Sequence, residues 1–164
     1  MRAKTKLSWE EKLDQTLSKI GLRFTSQRQV VYSVMLDVRD HPTAETVFLR
    51  AKQAMPEISM ATVYNCLDTL VRCGLVAQVN LHRAATRYCP NMQEHGHFYC
   101  DDCGKVFDVP MAPPVRIMDI PPGFELRRID VSISGRCPHC HGAVGAGRTE
   151  SARKSGKRGV SAAA

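Results

Sequence analysis

The chain has 164 residues, of which 43% are hydrophobic and 24% are charged, and its formal net charge is +7. This length fits one domain or two small domains of a soluble globular protein. The composition excludes a membrane span, because no apolar run approaches 18 residues, and the N-terminal segment lacks the apolar stretch of a signal peptide. We therefore expect a cytoplasmic protein with no membrane partner.

The first half of the chain has the pattern of four helices. Apolar residues recur at helical spacing from Trp9 to Ile20. A second helix is predicted to start with Ser26 as its N-cap, and a third follows the N-cap Thr43. The fourth opens at Ser59 and ends at Gly74, a residue type that often terminates helices.

Two short segments of strand character, LVAQVNL and TRYCP, follow the fourth helix around a connection at residues 82–85. Helices followed by a two-stranded hairpin predict a winged helix-turn-helix over residues 1–85, whose last helix enters the DNA major groove. A plain amphipathic helix with a polar start is the alternative. For the DNA reading, the candidate base and phosphate contacts are Tyr64, Asn65, Ser59, Thr62, Arg23 and Arg28.

The second half, residues 86–142, has β character in HFYC, KVFDV and FELRRIDVSIS, so the overall fold class is predicted to be α+β. Five prolines between Pro110 and Pro122 leave little room for a helix in the intervening segment. Residues 143–164 are rich in Gly, Ala, Lys and Arg, with a single acid. This composition predicts a disordered basic tail.

The seven cysteines include two Cys-x-x-Cys pairs, and no secretion signal favours disulfides. Two such pairs can supply the closed tetrahedral set that structural Zn²⁺ prefers. A redox role for one pair is the rival interpretation, but it requires only one Cys-x-x-Cys. The predicted structural zinc ligands are Cys100, Cys103, Cys137 and Cys140.

Further potential ligands remain after the zinc set is assigned. Cys89 lies six residues before His95, and His95-x-His97 on a strand places both imidazoles on one face. With Asp108 they form a mixed nitrogen, sulfur and oxygen set typical of an exchangeable transition-metal site. Cys89 could instead be a small buried packing residue. A zinc hydrolase with Glu94 or Asp108 as base is a remote alternative, because no oxyanion donors are evident.

Several motifs make the chain resemble the ferric uptake regulator (Fur) family of metal-dependent bacterial repressors. They are GLRFTSQRQVVYSVM, HPTAETVF, ISMATVYNCLDTLVRCGLV, HGHFYCDDCGKVFDV and GRCPHC. The resemblance implies an N-terminal winged helix, a small α/β dimerisation domain with a four-cysteine zinc, and a regulatory metal near the domain junction. It also implies His41 as a further regulatory ligand, giving the set His41, Cys89, His95, His97 and Asp108. The implied partners are a double-stranded DNA operator and a second copy of the chain.

The residues do not all point to the same branch of the family. Asn65 and Asp108 resemble the peroxide-sensing branch, in which Fe²⁺ or Mn²⁺ occupies the regulatory site and H₂O₂ oxidises a ligand histidine; His41 and His95 are the candidates here. Cys89 departs from that branch and resembles the zinc-sensing one, which would place Zn²⁺ in the site. Its thiol could also be oxidised directly. An iron-uptake regulator is a third possibility, and the proline-rich segment departs from the family and puts the usual dimer interface in doubt.

Overall fold

The computed structural model describes residues 8–80, 85–111, 121–125 and 129–145. Four helices come first, then two pairs of strands, a fifth strand and a final helix. In chain order they are α1 (Trp9–Lys19), α2 (Ser26–Asp37), α3 (Ala44–Ala54), α4 (Met60–Arg72), β1 (Ala77–Val79), β2 (Arg87–Cys89), β3 (His95–Cys100), β4 (Val106–Pro110), β5 (Ser132–Gly135) and α5 (Pro138–Gly145).

Side-chain caps fix where the first helices begin. Thr43 and Ser59 cap α3 and α4 as predicted, each accepting a hydrogen bond from a backbone N–H in the first turn. The prediction for α2 was wrong by one residue. Its cap is Thr25, which has the extended backbone that a cap requires and accepts from Arg28 N at 3.3 Å, whereas Ser26 is already helical.

The helices enclose an apolar core. In α4, Leu67 and Leu70 are fully buried and Val71 packs against them, as its helical spacing predicted. The polar N-terminal end of α4 faces outward. The main core residues are Leu13, Leu17, Val31, Met35, Val47, Ala51, Val63, Leu67, Leu70, Leu75 and Val76.

A small antiparallel hairpin follows the helices. β1 pairs with β2, with Gln78 opposite Tyr88, which confirms the predicted pair of strands. Residues 81–84, which contain most of the expected connection, lie outside the described residues. Helices followed by this hairpin have the plan of a winged helix-turn-helix.

A second sheet has the strand order β4-β3-β5. β3 lies in the centre, antiparallel to β4 and parallel to β5. The structure therefore has the predicted α+β class. It adds α5, a short helix at the second Cys-x-x-Cys that the sequence did not predict and that continues past residue 142, where the tail was expected to begin. The proline-rich stretch 112–120 and the tail from residue 146 lie outside the described residues.

Backbone contacts join the helical half to the sheets. Tyr88 N donates to Pro42 O at 3.0 Å, and Thr43 forms a β-bridge with Arg87. The Arg87 guanidinium donates to the carbonyl oxygens of His41 and Gly104, each at 3.0 Å. Within the described ranges, no helix is long and apolar enough to cross a bilayer.

Candidate metal centres

The two Cys-x-x-Cys pairs meet where β3 and β5 end. Cys100 is the last residue of β3, and its register partner Gly135 ends β5 two residues before Cys137. Gly104 follows the first pair with φ of +66°, the left-handed conformation that the tight turn needs. The four sulfur atoms of Cys100, Cys103, Cys137 and Cys140 lie within 4.8 Å of one another.

This spacing fits a closed zinc site. Four sulfurs at about 2.3 Å from a tetrahedral Zn²⁺ lie about 3.8 Å apart, and Cys103 Sγ is 3.9 Å from Cys137 Sγ. Cys137-x-x-Cys140 does start a helix after a strand, as the rival redox motif would. The sulfurs of the other pair complete the same cluster, however, so the arrangement favours zinc.

The thiols of this cluster influence one another strongly. The backbone N–H of Cys137 donates to Cys100 Sγ at 3.3 Å, and this hydrogen bond is the main cause that lowers the pKa of Cys100 to about 6. Cys140, hydrogen-bonded to the Cys137 sulfur, has its pKa raised to about 12. The Cys100 thiolate therefore forms easily, whereas the Cys140 thiol loses its proton with difficulty. Repulsion between neighbouring thiolates opposes that last deprotonation, and a bound divalent cation would offset the repulsion.

A second cluster lies where the segment before α3 meets strands β2, β3 and β4. One ligand atom from each of five residues lies within 4.8 Å of the others; the residues are His41, Cys89, His95, His97 and Asp108. His95 and His97 share one face of β3 as predicted, with their Nε2 atoms 3.0 Å apart. Asp108 is the register partner of His97 on β4.

Asp108 lies at the centre of this cluster. Its Oδ1 is 2.7 Å from His41 Nε2, 3.3 Å from His95 Nε2 and 3.9 Å from His97 Nε2. Cys89 Sγ is 3.8 Å from the same oxygen and 3.5 Å from His95 Nε2. Nitrogen, sulfur and oxygen donors thus converge on one point, which is the ligand chemistry of a transition-metal ion.

His41 provides independent support for a bound cation. Its side chain is only 2% exposed, and within the described residues neither ring nitrogen makes a hydrogen bond of acceptable geometry, despite the close approach to Asp108. A buried polar atom without a partner costs about 1–3 kcal/mol. The φ of His41 is +53°, the one positive φ outside glycine among the described residues. Such strain concentrates at functional sites, and a metal bound at Nε2 would give that nitrogen a partner.

The protonation states suit metal binding with one exception. Burial lowers the pKa of His41, and burial lowers that of His97 to about 4, so both rings are neutral near pH 7. For Asp108, burial is outweighed by the Asn91 hydrogen bond and the neighbouring histidines, and its pKa is lowered. Burial raises the pKa of the Cys89 thiol to about 11. Metal coordination by Cys89 must therefore displace a proton.

The candidate DNA-contacting residues lie in or just before the N-terminal halves of α2 and α4. Ser59 and Asn65 are exposed, and Tyr64 is 46% exposed, with its hydroxyl donating to Glu45 at 3.1 Å. A groove of about 210 Å³ runs between the two helices, lined by Thr25, Gln27, Arg28, Thr62, Asn65, Cys66 and Thr69. Exposed Arg23 adjoins it, because its carbonyl accepts a hydrogen bond from Arg28.

The model of the ferric uptake regulator family matches residues 19–119 of this chain. The chain belongs to the Fur family. The peroxide-responsive repressor PerR of Staphylococcus epidermidis is 30% identical over 128 residues, which cover 76% of this chain and 85% of that protein. The structure of the Helicobacter pylori regulator Fur, at 24% identity, covers 86% of this chain and 97% of its own, with a TM-score of 0.66.

A third similarity is to the ferric uptake regulator of Pseudomonas aeruginosa, whose structure was determined with manganese. That chain is 26% identical, the match covers 76% of this chain and 96% of that one, and the TM-score is 0.60. As a Fur-family member, this chain is a DNA-binding, metal-sensing transcriptional repressor and not an enzyme. The family membership rules out the zinc hydrolase considered from the sequence.

Two residues near the metal clusters were missed in the sequence. Arg87 joins the backbone of His41 to the turn that follows Cys103, and Asn91 contacts both Cys89 and Asp108. Asn91 had one local signal, since asparagine two residues after a strand often forms a turn through its own side chain. The partners of Arg87 are 46 and 17 residues away, so no local pattern indicates them.

The cysteine cluster yields a prediction about zinc content. Cys100→Ser should lose about one equivalent of tightly bound zinc and the protease resistance of the β4-β3-β5 sheet, because three remaining thiols cannot close a tetrahedral site. Native mass spectrometry and limited proteolysis measure the two effects. Cys73→Ser, which lies outside both clusters, is the matched control. Equal zinc in both variants would contradict the closed site.

The raised pKa of Cys89 yields a prediction about protons. At a pH of roughly 7.5, metal binding at the second cluster should release about one proton more from the wild type than from Cys89→Ser. The metal affinity of the wild type should also rise with pH as long as the Cys89 thiol is protonated. Calorimetric titration in buffers of different ionisation enthalpy gives the proton count. If the two proteins release equal numbers, Cys89 is a packing residue and not a ligand.

Proposed function

We propose that this chain is a peroxide-responsive repressor of the Fur family. Its regulatory metal is held by His41, Cys89, His95, His97 and Asp108, and a structural Zn²⁺ by the four paired cysteines. The observation that carries this proposal is the convergence of five donor atoms from distant parts of the chain. Fe²⁺ or Mn²⁺ is the proposed regulatory ion, and the site of action is the cytoplasm, where the operator DNA lies.

The position of His41 supports a link between metal binding and DNA binding. His41 lies just before α3, which packs against the recognition helix α4, whereas the other four ligands belong to the strands. An ion shared by all five would hold the helical half, proposed as residues 1–85, against the sheet half, residues 86–142. The ion favours this arrangement only by the difference between its affinities for the closed and open forms.

The peroxide response is supported by the histidines and by the relatives. Fe²⁺ held by the five residues of the cluster would supply the redox chemistry that activates H₂O₂ beside the ligand side chains. In the net reaction one peroxide oxygen replaces the hydrogen on an imidazole ring carbon, as a hydroxyl group, and the other leaves as water. His41 and His95, whose Nε2 atoms lie nearest to Asp108, are the proposed targets. Two staphylococcal relatives at 28% and 30% identity are peroxide-responsive repressors.

Zinc sensing is the second candidate, and Cys89 is the observation that favours it. Its sulfur is buried within the cluster, and a soft thiolate prefers Zn²⁺ to Mn²⁺ or Fe²⁺. The same thiol could itself react with peroxide, although its raised pKa keeps it in the less reactive protonated form. Within the part of the chain that the structure describes, no separate feature favours an iron-uptake role.

A homodimer is proposed, as in the family. Phe98, Phe107 and Ile133 are register partners across the three-stranded sheet, on the face opposite His97. Phe107 and Ile133 are 40% and 46% exposed. An apolar row of this kind is typical of a surface that a second copy covers. A sedimentation mass near 18.2 kDa for the metal-loaded protein would contradict the dimer.

The exposed end of α4 leads to a prediction about DNA. Tyr64→Ala should weaken binding to the operator by about 1–3 kcal/mol if the ring contacts a base. The operator would be selected from random duplexes with the metal-loaded protein, and the affinity measured by anisotropy. Binding to a scrambled duplex should change little, since contacts with phosphates supply most of the non-specific affinity. Unchanged operator binding would remove Tyr64 from the base contacts; Asn65, beside the groove, would then be examined next.

The peroxide proposal is tested by mass spectrometry of peptides. Full-length protein with its structural zinc is loaded anaerobically with Fe²⁺, treated with equimolar H₂O₂ and digested; a Mn²⁺-loaded sample is the control. We expect the peptides of His41 or His95 to gain the mass of one oxygen atom in the iron sample only. A gain at Cys89 with either metal would mean a thiol switch instead. No gain on any peptide would contradict the peroxide response and favour zinc sensing over it.

A further inference from the structure

The loop between β2 and β3, residues 90–94, contacts three of the five regulatory ligands. The Asn91 side chain donates from Nδ2 to Asp108 Oδ2 at 2.8 Å. The Asn91 backbone N–H donates to Cys89 Sγ at 3.4 Å. The Asn91 Oδ1 atom accepts from the backbone of Gln93 at 3.2 Å, and the Gln93 carbonyl lies 2.6 Å from His95 Nδ1. Asn91 therefore contacts Cys89 and Asp108 directly and supports His95 through Gln93.

The Asn91 contact gives the two oxygens of the Asp108 carboxylate different partners. Oδ2 is occupied by the Asn91 amide, on the outer side of the cluster. Oδ1 faces inward, toward His41, His95 and Cys89. Only Oδ1 is then free to bind an ion, because the amide hydrogen bond would have to break before Oδ2 could turn inward.

The contact through Gln93 fixes the orientation of His95. The Gln93 carbonyl can only accept, so His95 Nδ1 must carry the proton and Nε2 is left as the free donor atom toward the cluster. The side chain of Asn91 holds this carbonyl in place by closing a turn on the Gln93 backbone N–H. Such supporting contacts orient metal ligands, and their loss typically costs ~10–100-fold in affinity.

We propose that Asn91 is a positioning residue that sets the metal preference of the regulatory centre by restricting Asp108 to coordination through one oxygen. This inference rests on the proposed regulatory function of the five-residue cluster. With one donor atom from each residue, the chain supplies five donors. A second oxygen from Asp108 would raise the number to six and add a hard donor, which favours Mn²⁺ and Fe²⁺ relative to Zn²⁺.

Two substitutions separate the contacts of Asn91. Asn91→Ser keeps an oxygen that can accept from the Gln93 N–H but is too short to reach Asp108, whereas Asn91→Leu removes both side-chain contacts and keeps the branching at Cγ. Met92→Ala, in the same loop and on an exposed side chain, is the matched control. Thermal unfolding of the proteins with structural zinc but no metal at the second cluster identifies any variant that has lost its fold, and the remaining variant then carries the test.

The measurement is a Co²⁺ titration of full-length protein with its structural zinc in place, followed by competition of Zn²⁺ and Mn²⁺ for the same centre. We expect both Asn91 variants to have weaker cobalt d–d absorption than the wild type, since six-coordinate sites are closer to centrosymmetric. The ratio of Zn²⁺ to Mn²⁺ affinity should fall by about tenfold or more. Met92→Ala should match the wild type in both.

The outcomes distinguish this inference from the proposed function. If the wild type shows a cobalt spectrum with thiolate character and the Asn91 variants reproduce its spectrum and its affinity ratio, Asn91 has no positioning role and the regulatory centre stands. If an Asn91 variant loses affinity for both metals equally with an unchanged spectrum, its role is structural and the inference is also wrong. If the wild type binds no Co²⁺ beyond the zinc site, both proposals are overturned.

Discussion

The register of β3 is the constraint on which both metal clusters depend. The strand carries His95 and His97 at one end and Cys100 at the other. Its antiparallel pairing with β4 places Asp108 opposite His97, and its parallel pairing with β5 leads Cys137 back to Cys100. Because side chains alternate along a strand, a slip of one residue would turn the ligands to the wrong face. A single strand therefore sets the geometry of two sites with different chemistry.

The two clusters differ in how they are linked to the helical half. The four-cysteine cluster lies wholly within the second half of the chain, so zinc bound there would contribute to folding of that half. The cluster proposed as regulatory includes His41, whose carbonyl accepts from the Arg87 side chain, and the next carbonyl, that of Pro42, accepts from Tyr88 N. Arg87 also binds the turn after Cys103 through Gly104. One guanidinium thus joins the turn after Cys103 to the backbone of His41.

The arrangement of His41 in the five-residue cluster has a free-energy cost that a bound cation would offset. His41 is buried without a hydrogen bond of good geometry, and its backbone has an unfavourable positive φ. Buried polar groups without partners are rare in folded proteins, and strain persists only where surrounding structure maintains it. The helical core and the β2 contacts provide that support. The mixture of a protonated Cys89 thiol, the neutral rings of His41 and His97 and an ionised Asp108 then determines which ions bind and how many protons they release.

The sequence by itself determined the elements whose signals are local. These signals depend on residues a few positions apart. They are the helix caps at Thr43 and Ser59, the apolar spacing within α4, the shared face of His95 and His97, and the paired cysteines. The capping error at Thr25 arose because Thr and Ser are adjacent and both can cap; backbone conformation decided between them. Helix α5 was missed because its sequence, PHCHGAVG, has no helical periodicity.

Only the tertiary structure decided which distant side chains meet. His41 and Asp108 are far apart in the sequence, and family resemblance, not spacing, indicated His41 as a ligand. The roles of Arg87 and Asn91 appeared only in the folded chain, since their partners are brought to them by the pairing of separate strands. Local patterns specify elements, but the register between elements depends on packing of the whole chain, and the regulatory site is built from that register.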